Sequence, residues 1–103
     1  MARSTFQIQY SNPNGLMEYL SSLLQSKGYK YITENNEYVW KCGVGFWTAM
    51  KYIKIEFAPN NIMLVSGWIR PMLGSEQDLN GMVGALPKKQ VMNVIQQIQN
   101  TIR

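Results

Sequence analysis

Between residues 29 and 70 the chain is dense in Tyr, Ile, Val and Trp and is interrupted by the turn-forming pairs Asn35-Asn36 and Pro59-Asn60, which constrains its middle to β-hairpins. Residues 29–34 and 37–42 form the first hairpin, because the Asn pair tolerates the positive φ angles that a two-residue loop requires. Residues 51–58 and 62–70 form the second. If Pro59-Asn60 is its loop, Phe57 faces Ile62 and Ile55 faces Leu64. That register places Ile53, Ile55, Phe57, Ile62, Leu64 and Trp68 on one face of the sheet and Tyr52, Lys54, Glu56, Met63, Val65 and Ile69 on the other.

The flanks obey other periods. Phe6, Ile8 and Tyr10 alternate with Thr5, Gln7 and Gln9, the pattern of a strand over residues 5–10. Asn12-Pro13 then reads as a helix start, Leu16, Tyr19, Leu20, Leu23 and Leu24 as its apolar stripe, and Gly28 as its left-handed stop. Residues 76–81 are expected to add a short last strand. From Pro87 onward, Val91, Val94, Ile95, Ile98 and Ile102 make a second helical stripe, backed by Gln90, Asn93, Gln96, Gln97 and Asn100. The expected architecture is α+β, in the order β-α-β4-α: a twisted antiparallel sheet of five or six strands with two helices packed on one face. One repeat of the TATA-box-binding protein has this order, and a shared fold carries no function with it.

With 103 residues, 46% of them hydrophobic, the chain fits one compact domain, residues 1–103. Its second helix carries no stop signal before Arg103, so the domain is expected to be an excised N-terminal piece of a longer protein. The single cysteine, Cys42, cannot form an internal disulfide, and the first ten residues contain no apolar run of the kind found in a signal peptide, so a cytoplasmic location is expected. The longest apolar stretch, residues 62–69, falls far short of the ~20 residues that span a bilayer. Ten Lys and Arg against six Asp and Glu give a net charge of +4, which favours anionic partners without naming one.

The segments Gly45-Phe-Trp-Thr-Ala-Met-Lys-Tyr-Ile-Lys-Ile-Glu-Phe57, Ser66-Gly-Trp-Ile69 and Asp78-Leu-Asn-Gly-Met-Val-Gly-Ala-Leu-Pro-Lys-Lys89 carry a resemblance that spans nearly the whole chain. On them the chain resembles an uncharacterised family of small bacterial domains, typically attached to a zinc-ribbon segment. The resemblance implies a fold similar to the TATA-box-binding protein and a Cys-rich tail beyond residue 103. It implies no activity. The chain itself has no Cys-x-x-Cys pair, so no metal ligand can be assigned to it.

Without histidine and with one cysteine, the chain cannot build a Ser-His-Asp or Cys-His triad or a familiar zinc site, and no enzyme activity and no cofactor are expected. The carboxylates Glu18, Glu34, Glu37, Glu56, Glu76 and Asp78 show no spacing that marks an acid/base pair; Glu34 and Glu37 flank an exposed turn. Gly43-Val44-Gly45 precedes a strand rather than a helix, which argues against a phosphate loop.

Two features remain as candidate ligand-binding sites. Gly84, Lys88 and Lys89 stand where a glycine-bearing loop meets the second helix; cations there oppose the helix dipole by ~0.3 to 1 kcal/mol each, and an anion would reverse that cost, although two solvated lysines are the plainer reading. Trp40, Trp47, Tyr52 and Lys54 belong to a cluster of aromatic and basic residues in and beside the strands. Such a cluster suits base stacking, and equally the filling of a core. The expected function is a noncatalytic binding or protein-interaction module using the sheet face opposite the helices, with a protein partner or self-association. The alternatives are nucleic-acid binding through the aromatic and Lys residues on the strands, and a small-molecule or anion site at the start of the second helix.

Overall fold

The computed structural model describes residues 3–43, 49–80 and 85–102. Its elements run in the order β1 (Ser4–Gln9), α1 (Leu16–Ser26), β2 (Lys30–Glu34), β3 (Glu37–Cys42), β4 (Met50–Ala58), β5 (Ile62–Arg70) and α2 (Ala85–Ile102). The five strands form one open antiparallel sheet in the order β1-β5-β4-β3-β2, so β1 and β2 are its edges. Both helices lie on one face. Leu20 and Leu24 of α1 and Val91, Ile95 and Ile98 of α2 share a buried cluster with Ile8, Trp40, Ile53, Met63, Val65 and Ile69 of the sheet. Among the described residues no helix is long and apolar enough to cross a membrane.

Local chemistry sets the element ends. Asn12 does not cap α1: its Oδ1 accepts the Asn14 N–H at 2.9 Å in a turn, and the helix begins at Leu16 after Gly15. The expected stop is present. Gly28 has a φ of 89°, its N–H bonds the Gln25 carbonyl at 3.0 Å, and the Tyr29 N–H bonds the Leu24 carbonyl at 2.9 Å. These two bonds are the Schellman pattern, and the Leu24 and Tyr29 side chains close it by packing in the same core. At the β2–β3 turn, Asn35 and Asn36 have φ angles of 53° and 65°, as a two-residue hairpin requires.

The second hairpin differs from expectation by one residue. Its loop is Pro59-Asn60-Asn61, with φ angles of 67° at Asn60 and 57° at Asn61, and Ala58 pairs with Ile62, Phe57 with Met63 and Ile55 with Val65. Since side chains alternate along a strand, this single step turns β5 over relative to the two-residue reading. Met63, Val65 and Ile69 face the helices, and Trp68 packs on the opposite side with Tyr52. The faces expected for β4 stand: Ile53 and Ile55 lie under the helices, Tyr52 and Lys54 on the other side.

No strand forms over residues 76–80. Instead Gln77 makes one bridge to Ile69, continuing the lane that β1 leaves at Ser4, and Gly81 lies outside the described residues. The helix expected from Pro87 begins two residues earlier, at Ala85.

Candidate functional site

Among the described residues, the sheet face away from the helices carries the densest network of side-chain hydrogen bonds and ion pairs. Glu34 and Glu37 close the β2–β3 turn as a directly opposed pair, and strand alternation turns both onto this face. Two like charges in that position repel, so the hairpin needs cations. Four surround it. Arg3, just before β1, bonds Glu37 through Nη1 at 2.9 Å and Nη2 at 2.6 Å, and Glu76 through Nε at 2.9 Å and Nη2 at 2.8 Å. Lys54 of β4 reaches Glu37 at 2.9 Å, Lys41 of β3 reaches Glu34 at 3.1 Å, and Arg70 of β5 lies 3.8 Å from Glu34.

Beneath these charges sits a small apolar layer. Tyr52 and Trp68 stack with centroids 5.2 Å apart and an interplanar angle of 3°, and Val39 and Met50 complete a cluster that excludes solvent. The Arg3 guanidinium lies 3.7 Å above the Trp68 ring, which adds a cation–π contact to its four hydrogen bonds. Tyr52 Oη donates to Glu34 at 2.6 Å, tying the aromatic layer to the charged one.

The electrostatics follow. Hydrogen bonds from Arg3, reinforced by Lys54, hold the Glu37 carboxyl down at about 2 against the opposing effect of burial. Glu34 is also held below the ordinary carboxylate range, first by the Tyr52 hydroxyl and then by Lys41. Both are ionised at neutral pH, and carboxylates held so low are poor proton acceptors there. Charge-assisted hydrogen bonds thus hold this face together.

The candidate residues from the sequence separate into different places. Trp40 is buried under the helices, whereas Tyr52 is buried in the opposite layer, so the two rings cannot share a stacking platform. Lys54 is an ion-pair partner of Glu37. Lys88 is buried, with its Nζ donating to the Asn80 carbonyl, while Lys89 is exposed. Gly84 and Trp47 lie outside the described residues.

Arg3, Glu34, Glu37 and Glu76 were not expected from sequence pattern to form a site. The one available signal was the Glu-Asn-Asn-Glu turn, which places two carboxylates opposite each other and so demands cations nearby. A second feature is aromatic: Tyr31, unmarked by sequence pattern, stacks on Tyr38 at 5.9 Å on the helix-side surface of the β2–β3 hairpin, with the two residues 59% and 63% exposed. No protein-family model, no curated protein and no solved structure matches the chain.

Proposed function

We propose that the chain is a noncatalytic protein-interaction module that associates through the β2 edge and extends the sheet face opposite the helices, with a second copy of itself as partner. One observation carries this reading: the edge strand Lys30-Tyr31-Ile32-Thr33-Glu34 is complementary to its own reverse. Laid antiparallel about a two-fold axis through Ile32, it sets each Lys30 opposite Glu34 of the second copy, Ile32 opposite Ile32, and Tyr31 opposite Thr33.

Backbone geometry supports the same register. Glu34 and Glu37 close a two-residue turn, so the antiparallel alternation directs the polar groups of Lys30, Ile32 and Glu34 toward β3 and leaves those of Tyr31 and Thr33 facing outward. A lysine on an edge strand normally discourages pairing because it meets its own like. Here it meets a carboxylate. An interface of this kind is isologous and closes at two copies, joining two five-stranded sheets into one.

Nucleic-acid binding is the second reading, and the exposed Tyr31–Tyr38 stack favours it. Against it, Lys41 and Lys54 lie on the other face of the sheet from these rings and are engaged by carboxylates. The same proposal includes the likeness to one repeat of the TATA-box-binding protein, supported by the element order, and a cytoplasmic location, supported by the single cysteine.

Sedimentation equilibrium over a concentration series tests the proposal. A monomer–dimer equilibrium is expected, and Ile32→Lys or Thr33→Pro weakens it at least tenfold while circular dichroism remains that of the folded chain. Proline at residue 33 removes only an outward N–H, which an edge strand tolerates. A monomer throughout, or a dimer indifferent to both changes, refutes it.

A further inference from the structure

At the start of α2, Lys88 is buried with its ammonium on the Asn80 carbonyl, Lys89 is exposed, and Gly84 lies outside the described residues. A second place lies further along the helix. A cleft of about 280 Å³ opens between the end of α1, the start of β4 and the outer side of α2, lined by Lys27, Tyr29, Lys51, Gln90, Asn93 and Gln97 together with Val94. We propose that this cleft is a binding site for a small oxyanion, a phosphate or carboxylate group carried by a compact ligand.

Charge is the first support. Of the six acidic residues in the chain none lines the cleft, and Glu34, Glu37 and Glu76 are gathered on the opposite face of the sheet. Lys27 and Lys51 therefore face the cleft without a carboxylate partner among the described residues. The C-terminal end of α1 is the negative pole of its helix dipole and opposes an anion by ~0.3 to 1 kcal/mol, which the two lysines must outweigh, although its last carbonyls are not free. Those of Leu23, Leu24 and Gln25 already accept bonds from Lys27, Gly28, Tyr29 and Ser26.

The position of Lys51 is the second. It pairs with Ile69 and Cys42 on the helix-covered side of the sheet, where its neighbours along the strand are Ile53 and Ile55, so its half-buried chain runs past the sheet–helix layer to an exposed ammonium beside α2. Its Nζ donates to Gln90 Oε1 at 3.1 Å, which fixes the ammonium at the cleft and leaves further N–H groups for a ligand. Gln90, Asn93 and Gln97 recur at helical spacing and present three carboxamides along one wall.

Tyr29 supplies the floor. The residue is 3% exposed and lines the cleft. Burial pushes this phenol up, with Cys42 adding to the effect, so it remains a donor throughout the neutral range. Two cations, a phenol and amide N–H groups form a donor set for oxygen anions. The volume lies just under the lower end of ligand pockets, roughly 300 Å³, which limits the ligand to a small one.

Titration of the full chain with inorganic phosphate, at constant ionic strength set with chloride, tests this by two-dimensional NMR. A parallel arm with acetate reads the carboxylate chemistry. The backbone and side-chain amide signals of Gln90, Asn93 and Gln97 are expected to move saturably in at least one arm, and Lys51→Met or the exposed-site change Lys27→Met weakens that response at least tenfold. Absence of saturable shifts in both arms, an unchanged response in both variants, or a response abolished by Lys89→Met and not by Lys51→Met overturns the assignment.

Discussion

Arg3 holds two carboxylates and an indole ring with one guanidinium, and among the described residues no other side chain ties together so many distant parts of the chain. Arg3→Met leaves Glu76 without an ion-pair partner among the described residues, with Arg70 its remaining nearby charge, and Glu37 with Lys54 alone. A loss of about 2 kcal/mol in urea unfolding at pH 7 is expected, from half-buried charged hydrogen bonds and an uncompensated carboxylate. Acid isolates the electrostatic part. The Glu37 carboxyl is held at about 2 in the fold, below an unfolded value of about 4.3, so its stabilisation is complete above about pH 5 and is lost as pH falls through 4 toward 2. Glu34, shifted in the same direction, adds to that slope. Wild type should therefore lose more stability than Arg3→Met between pH 7 and pH 3; equal losses in the two proteins would show that the pairs contribute nothing to the acid limb.

At the scale of elements, the molecule depends on how closely α2 approaches β5. Gly67 permits that contact: a Cβ there would stand 2.8 Å from Ile95 Cδ1, 2.9 Å from Val91 Cγ1 and 3.0 Å from Leu79 Cδ1. Gly67→Ala must push the helix or its side chains outward, and a destabilisation of about 1 to 3 kcal/mol is expected by thermal or urea unfolding. A neutral result would mean that α2 rests loosely on the sheet. The same strand marks the limit of what sequence pattern discloses. Both helical stripes, the two hairpins and the faces of β4 are legible because one alternation there is apolar and the other is not. In β5 both are apolar, Ile62, Leu64 and Trp68 on one face and Met63, Val65 and Ile69 on the other. Register then rests on the loop alone, and Asn61 joins Asn60 in a left-handed conformation to make that loop one residue longer. The charged face is illegible for another reason: Arg3 meets Glu37 and Glu76 across sequence separations of 34 and 73 residues, which no local period records. Lys88 reads as a solvated lysine in sequence, and only the fold reveals the Asn80 carbonyl that draws it inside.

Across the whole molecule, Glu34, Glu37 and Glu76 collect over the Tyr52–Trp68 stack and are matched there, while the cleft that Lys27 and Lys51 line on the helix side has no carboxylate among its lining residues. The two edges of the sheet differ as well. β1 presents Thr5, Gln7 and Gln9, which are uncharged, whereas β2 presents Lys30 and Glu34 in an order that fits its own inverse. Pairing of β2 with β2 places the outward amides of Tyr31 and Thr33 in new hydrogen bonds, and no other backbone groups of that strand change partners. Amide hydrogen exchange at several protein concentrations reads those two positions directly. Exchange at Tyr31 and Thr33 should slow progressively as concentration rises, while Thr5 and Gln7 on the opposite edge exchange at a constant rate; rates at Tyr31 and Thr33 that stay independent of concentration up to the millimolar range would contradict self-association through this edge.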